Sequence, residues 1–212
     1  MTRPSDGTWT RVGFVAIVLG CALVPPGAAT ARSVVDPRTI AECDRAVEER
    51  PRSLDAWSCY YEAARRNGLW LEAESRLRGK LSVRSEDHHA RFAIGLLLAY
   101  RPGGDPVGAL EAAADGFESD GDDSAAFRAL EASYRTLANL QRRDLAERTF
   151  ERLAAIAERN RGDPQIDTRW SILQAGDALW SGAIAAADEH LARALERAPD
   201  DTLRARIENG LG

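Results

Sequence analysis

One spacing recurs three times along the chain and limits what the chain can fold into. Three residues are each followed 16 positions later by an alanine, and alanine and leucine recur at helical intervals between them. No segment alternates with period two, so strands are not expected. The spacings run from Trp57 to Ala73, from Leu130 to Ala146 and from Ser171 to Ala187. The pattern predicts an all-α chain of helical hairpins that share one internal length.

Four segments around these spacings share further residues. They are Trp57, Tyr60, Tyr61, Ala64, Gly68, Ala73 and Leu77 in the first; Ile94, Gly95, Leu98, Ala109 and Ala113 in the second; Ser133, Tyr134, Leu137, Ala146 and Phe150 in the third; and Gln174, Ala175, Ala178, Gly182, Ala187, Leu191, Ala194 and Pro199 in the fourth. The arrangement resembles the tetratricopeptide repeat (TPR) family, whose pattern is Trp-x2-Leu-Gly-x2-Tyr, then Ala-x3-Phe, then Pro. The resemblance covers about residues 38–199. It implies a right-handed solenoid of antiparallel helix pairs with about 3.5 to 4.5 repeats.

One position of the pattern differs in size between the four copies. Gly95 and Ala175 occupy it in the second and fourth copies, whereas Tyr61 and Tyr134 occupy it in the first and third. A small residue there lets two helices approach closely. We therefore expect wider spacing between the helices at the two tyrosines. The second copy also has two extra residues, which we assign to the turn at 101–105.

The first 31 residues are unlike the rest of the chain. Arginines precede an apolar run of 13 residues, Val12 to Val24, and a small-residue triplet ends at Ala31. This order is typical of a secretory signal peptide, and the run is too short to span a bilayer. We expect cleavage after Ala31, which leaves residues 32–212 as the helical domain. Two alternatives stay open: lipidation at Cys21 within a lipobox-like sequence, and an uncleaved anchor.

Composition and motifs indicate which functions to expect. Lys+Arg number 28 and Asp+Glu 33, which gives a net charge of −5, and no basic stripe suggests a nucleic-acid partner. We found no motif for nucleophilic, metal-dependent or phosphate chemistry, so we expect neither an enzyme nor a cofactor. His88 and His89 are adjacent on a predicted helix, where their side chains point about 100° apart, so a shared metal ion is not expected.

Two cysteines flank a turn symmetrically. Cys43 lies eight residues before Pro51, and Cys59 lies eight residues after it. Equal offsets in an antiparallel hairpin put both at the same height, and an exported protein meets oxidising conditions. The sequence therefore predicts a Cys43–Cys59 disulfide; the alternative is two small buried apolar residues.

The resemblance also implies where a partner would bind, because in the TPR family the first helix of each pair lines a concave groove. Phe92, Leu96 and Tyr100 recur every four residues and would form one apolar ridge there. The alternative is that this helix, apolar all round, is simply buried. The implied groove residues are Glu62, Arg65, Arg66, His89, Phe92, Leu96, Tyr100, Arg128, Glu131, Arg135, Asn139, Arg169 and Ile172.

Three functions are compatible with these observations. The leading hypothesis is an exported scaffold, periplasmic or secreted, that binds a peptide or partner protein in its groove. A second is the sensor or scaffold module of a larger enzyme, for example a caspase-like protease that carries TPR arms. A third is a structural solenoid that associates with itself. In each, the mature chain has no membrane span, and a lipid anchor at Cys21 remains the alternative to a free exported form.

Overall fold

The computed structural model describes residues 39–101, 103–198, 201, 204 and 207. The chain divides into two units, Met1–Ser33 and Val34–Gly212, and every described residue belongs to the second. The predicted signal peptide, with Cys21 and Ala31, therefore lies outside the described residues.

The described part of the chain is all-helical, as predicted, with nine helices and no strand. None of these helices is long and apolar enough to cross a bilayer. In chain order they are α1 (Ile40–Glu49), α2 (Leu54–Asn67), α3 (Trp70–Val83), α4 (His88–Leu98), α5 (Pro106–Ser119), α6 (Asp123–Asn139), α7 (Arg143–Arg159), α8 (Pro164–Trp180) and α9 (Ile184–Arg197).

Short polar side chains begin most of the helices. Thr39 and Glu42 form a reciprocal capping box at the start of α1. Asp163 accepts hydrogen bonds from two backbone N–H groups of α8, and Pro164 occupies the first turn, where its lack of an N–H costs nothing. Ser53, Asp87, Asp105 and Asp122 cap α2, α4, α5 and α6 in the same way. These caps fix the helix starts and hence the length of each pair.

Taken two at a time along the chain, α2 to α9 give four helix–turn–helix segments, which we call pairs. We call α2, α4, α6 and α8 the first helices, and α3, α5, α7 and α9 the second helices. The turn inside a pair has two or three residues at 68–69, 140–142 and 181–183, but seven residues at 99–105. The extra length of the second copy therefore lies in its turn, as predicted, and the short turns require antiparallel neighbours.

Buried apolar side chains form three clusters along the array. The first joins α1 to α4 around Tyr60 and Leu77, and the second extends from α4 to α8 around Phe127 and Leu130. The third lies between α8 and α9 and includes Ile207, which is 2% exposed. Ile207 therefore packs against the apolar residues that α8 and α9 contribute to this cluster.

Packing within a pair depends on the position where residue size differs. A Cβ atom added at Gly95 would lie 2.6 Å from Cγ of Leu110 and 3.2 Å from its backbone nitrogen. Helices α4 and α5 therefore pack closely, as do α8 and α9, where Ala175 occupies the same position. Helices α2 and α3, where Tyr61 occupies this position, pack less closely. This difference agrees with the expectation drawn from residue size.

Candidate functional site

The first helices run in the same direction, which brings their surfaces side by side. Near the starts of α2 and α4, the rings of Trp57 and His89 lie 6.2 Å apart. Further along, the ring of Tyr61, in the middle of α2, lies 5.1 Å from that of Tyr100, in the turn after α4. A surface composed of the first helices therefore has one edge where α2 and α4 begin and another where they end.

The thirteen predicted groove residues differ widely in exposure. Arg65, Arg66, Tyr100 and Asn139 are exposed, and Glu62, His89, Leu96, Arg128, Arg135, Arg169 and Ile172 are partly buried. Phe92 and Glu131 are buried. Binding of a partner by these residues remains a prediction, and the two buried residues cannot take part in it in this conformation.

Phe92 corrects the predicted ridge. Its side chain is only 2% exposed and packs in the same cluster as Leu110 and Phe117 of α5. Helix α4 is apolar all round and contacts α2, α3 and α5, so a residue that the four-residue spacing places beside Leu96 is covered by a neighbouring helix. The exposed ridge is therefore wrong at Phe92, and only Leu96 and Tyr100 keep contact with solvent.

Glu131 corrects the prediction in a second way, because it links helices instead of facing a groove. It is 6% exposed; one of its carboxylate oxygens lies 2.9 Å from Nη1 of Arg169 on α8, and the other lies 2.7 Å from Nη2 of Arg135. A buried carboxylate needs such partners, since an unpaired buried charge is costly. Three of the predicted groove residues, Glu131, Arg135 and Arg169, therefore form an ion-pair cluster that connects α6 to α8.

A similar bond joins more distant helices. Nη2 of Arg128, at the start of α6, donates a hydrogen bond of 2.8 Å to Asp55 at the start of α2. The two residues are 73 positions apart in the chain, so α2 and α6 approach each other at the edge where both begin. This predicted groove residue also has a partner within the chain.

The most exposed aromatic group of the predicted groove lies at the opposite edge. Tyr100 is 65% exposed and contacts Tyr61, whose ring lies 6.3 Å from that of Trp70. Burial raises the pKa of Tyr61, and its hydrogen bond with Tyr100 and the charge of Glu62 add to the increase. The phenol is therefore neutral at physiological pH. We call Tyr61, Trp70 and Tyr100 the aromatic surface.

Charged side chains lie beside the aromatic surface. Arg65 and Arg66, in the last turn of α2, are exposed and both form ion pairs with Glu62, at 2.8 and 3.4 Å. Ion pairs this exposed contribute little to stability, so they can rearrange at small cost. An exposed aromatic group next to cations is suited to contact with an apolar and acidic partner.

The predicted disulfide is confirmed. The Sγ atoms of Cys43 and Cys59 lie 2.06 Å apart and join α1 to α2. Beside it, Asp44 accepts a hydrogen bond of 2.6 Å from the Tyr60 hydroxyl and one of 2.7 Å from Nε of Arg76, and it pairs with Lys80 at 3.0 Å.

The carboxylate of Asp44 is ionised despite its position. Burial opposes its charge, but the hydrogen bonds from Tyr60, Lys80 and Arg76 outweigh burial and hold the pKa of Asp44 below its usual value. Because its three partners come from α2 and α3, this one carboxylate fastens α1 to the first helix pair. Together with the disulfide it attaches α1 to both α2 and α3.

The rings of the two adjacent histidines both contact Phe117 of α5, at 5.9 Å for His88 and 4.9 Å for His89, and their other neighbours differ. His88 packs directly on Gly116 of α5, where a Cβ atom would overlap its ring. His89 lies between Trp57 and Phe117, 4.9 Å from the latter ring, and its burial lowers its pKa. In the described part of the chain no group of three or more His, Cys, Asp or Glu side chains is arranged to hold a metal ion.

One of the cavities in the described residues, of about 300 Å³, lies where α6, α7 and α8 meet, and no sequence motif predicts it. Its residues come from three helices; the repeat pattern includes Tyr134, Ala146 and Phe150 but none of its charged residues. The cavity is lined by Tyr134, Arg143, Ala146, Glu147, Phe150, Glu151, Asp177, Trp180 and Ser181. We call it the α6–α8 cavity.

Comparison of the chain with protein-family models, curated proteins and solved structures finds no match. The likeness to the TPR family therefore stays a prediction from the sequence pattern. Function has to be argued from the surfaces of this chain itself.

Proposed function

We propose that the protein is an exported TPR-like scaffold, a right-handed solenoid of antiparallel helix pairs, that binds a peptide or partner protein on its first helices. Three features support this arrangement: four helix pairs with short turns, first helices that run in the same direction, and small residues at the close contacts. The partner contacts the edge where the aromatic surface lies.

The observation that carries the proposal is the exposure of Tyr100 on top of Tyr61. A tyrosine presents a large contact area with few rotatable bonds, so it loses little entropy on binding. Tyr100 rests on a partly buried base, and Arg65 and Arg66 lie on the adjacent last turn of α2. A peptide with an apolar side chain followed by acidic groups complements this combination.

The disulfide supports the exported location. Structural disulfides persist in oxidising compartments and are rare where thiols are kept reduced. The Cys43–Cys59 bond lies in the part of the chain that follows the predicted signal peptide. We therefore place the binding function outside the cytoplasm.

Peptide selection tests the binding function. The purified exported protein is used to select peptides from a random 12-residue library, and affinities are measured for wild type, Tyr100→Glu and the control Val83→Glu. Val83 is 82% exposed and apolar but lies at the end of α3, away from the aromatic surface. Loss of a central aromatic contact weakens binding by at least about tenfold, so we expect Tyr100→Glu to lose binding and Val83→Glu to keep it.

Two results would count against the binding function. One is equal binding of the selected peptides by both folded variants. The other is failure to select any peptide sequence that binds wild type better than Tyr100→Glu. Circular dichroism of each variant establishes that its helices are intact before binding is measured.

The mass of the mature protein tests the location separately. We expect a chain that begins at residue 32, because cleavage follows Ala31. A mass that retains residues 21–31 plus a lipid would instead indicate lipidation at Cys21. A chain recovered from the cytoplasm with residues 1–31 intact would contradict export.

A further inference from the structure

The α6–α8 cavity combines aromatic rings with carboxylates. Tyr134 and Phe150 form two of its sides, with ring centroids 5.5 Å apart, and Trp180, which is 44% exposed, forms a third. Glu147, Glu151 and Asp177 also line it. Aromatic faces and carboxylates both attract cations, and neither attracts an anion.

A cation of the chain itself already lies against this cavity. The guanidinium carbon of Arg143 is 5.9 Å from the ring centroid of Trp180, and its Nε donates a hydrogen bond of 3.2 Å to Glu147. Arg143 is nevertheless 73% exposed. Exposed ion pairs between residues one helical turn apart are weak, so this side chain can leave the ring at little cost.

The charges around the cavity are unbalanced. Three carboxylates line it, and Arg143 is the one cation among the lining residues. Asp177 also accepts a hydrogen bond of 3.3 Å from the hydroxyl of Tyr134. Burial, the charge of Asp177 and this hydrogen bond raise the pKa of Tyr134, so the phenol stays neutral and adds no charge. The cavity therefore keeps a net negative charge even with Arg143 in place.

We propose that the α6–α8 cavity binds the guanidinium group of an arginine side chain on a partner protein, which takes the place of Arg143 over Trp180. A planar guanidinium has five N–H donors and stacks on aromatic rings, so it satisfies carboxylates and rings together. A cavity of about 300 Å³ accommodates one such side chain. The site does not use the aromatic surface, so either proposal can fail without the other.

Nuclear magnetic resonance with three small probes tests the site on the exported protein. The probes are N-acetyl-arginine amide, the neutral isostere N-acetyl-citrulline amide, and N-acetyl-lysine amide. The indole N–H signal of Trp180, assigned with Trp180→Phe, reports on the site. Saturation transfer to the probe gives the dissociation constant for every variant. We expect the arginine probe to shift the Trp180 signal and saturate at millimolar concentration, and the citrulline probe to leave it unchanged.

Substitutions of single cavity residues measure the contribution of each to binding of the arginine probe. Trp180→Leu and Glu151→Gln should each weaken the arginine probe by about fivefold, since a cation–π contact and a nearby carboxylate each contribute on this scale. Arg143→Gln should tighten binding several-fold, because it removes the internal competitor. Arg148→Gln is the matched control: it removes the same charge from α7 but does not line the cavity.

Three results would overturn the inference. The first is binding of the citrulline probe as tight as that of the arginine probe. The second is an Arg143→Gln variant that binds no more tightly than Arg148→Gln. The third is equal affinity for the lysine and arginine probes, which would exclude recognition of the guanidinium plane.

Discussion

The helix pairs of this protein are of two kinds, and the two kinds alternate along the chain. In α4–α5 and α8–α9 a small residue, Gly95 or Ala175, lies where the pair meets, and the two helices pack closely. In α2–α3 and α6–α7 a tyrosine occupies that position, and it packs against aromatic residues of the next helix. One position in each pair therefore decides whether a small residue lets the two helices pack closely or a tyrosine fills the contact with aromatic rings, of which that of Tyr134 is buried.

Both proposed binding sites use the tyrosine of one of these two pairs, together with residues of the following pair. Tyr61 forms the base on which the exposed Tyr100 rests, and Tyr134 forms a wall of the α6–α8 cavity. The two pairs differ in how they are held. The first is attached to α1 by a disulfide and by Asp44, whereas the second has hydrogen bonds from Arg152 to Asp115 and Glu118 of α5.

Removal of the disulfide should have the largest effect and should separate the two tyrosine pairs. The bond closes a loop over a sequence separation of 16, which corresponds to about 3 kcal/mol of unfolding free energy in the chain-entropy model. We expect the Cys43→Ala, Cys59→Ala double variant to lose about that much in urea unfolding. Hydrogen exchange should accelerate in α1 and α2 and stay unchanged in α6 and α7.

Reductant provides the control for this experiment. It should destabilise the wild-type protein and leave the double variant unaffected. Equal acceleration of exchange in α6 and α7 would contradict the idea that the two tyrosine pairs are held independently.

The second prediction concerns the Asp44 carboxylate that holds the first pair. Tyr60→Phe removes a hydrogen bond of 2.6 Å to a buried ionised group, which should cost about 2 kcal/mol of unfolding free energy at pH 7. The folded-state pKa of Asp44 is lowered, so this stabilisation is present above the ordinary carboxyl pKa. It is lost as pH falls through the lowered folded-state pKa.

The pH dependence gives this second prediction its check. The difference between wild type and Tyr60→Phe, measured by urea unfolding, should shrink as pH falls below about 4. A difference that stays constant down to pH 2 would show that the hydroxyl acts through packing and not through Asp44.

Much of the fold follows from the sequence because the relevant signals are local. The 16-residue spacing, the caps such as Asp163 and the long turn at 99–105 each depend on residues close together in the chain. The disulfide was predictable for the same reason, since Cys43 and Cys59 lie at equal distances from one turn. Gly95 predicted close packing of α4 against its partner helix, because the absence of a side chain at that position lets two helices approach each other.

The binding surface was less predictable because it depends on which helices cover one another. Phe92 and Tyr100 have the same spacing from Leu96, yet one is 2% and the other 65% exposed. Phe92 lies within α4, which contacts α2, α3 and α5, whereas Tyr100 lies in the turn after the end of that helix. Likewise, the partners of Glu131 are set by the alignment of α6 with α8, which a single sequence does not encode as a motif.

The third prediction concerns a closely packed pair, α4–α5, in which a larger residue is introduced at the small position. Gly95→Ala places a Cβ atom 2.6 Å from Cγ of the fully buried Leu110. Overpacking of this kind costs about 1–3 kcal/mol, and the better helix propensity of alanine returns up to about 1 kcal/mol. We expect a net loss of about 1 kcal/mol in thermal or urea unfolding.

A glycine in another helix, with free space around it, serves as the matched control. Gly176 lies in α8 with nothing within 4 Å of an added Cβ atom, so Gly176→Ala should gain about 0.5–1 kcal/mol. Opposite signs for the two substitutions are the expected result. A gain at both positions would show that α4 and α5 can separate freely, and the distinction between the two kinds of pair would then lose its physical basis.

The smallest effect is expected at Tyr134, in the second tyrosine pair. Tyr134→Phe removes a hydrogen bond of 3.3 Å to Asp177, which is exposed to water, so the loss should be about 0.5 kcal/mol. Asp177→Asn tests the same bond from the other side, and a double-mutant cycle measures the interaction alone. The phenyl ring keeps the wall of the α6–α8 cavity intact. A loss at Tyr134 as large as that of Tyr60→Phe would mean that the second pair also depends on a buried carboxylate–tyrosine bond, and that the two pairs are held in the same way.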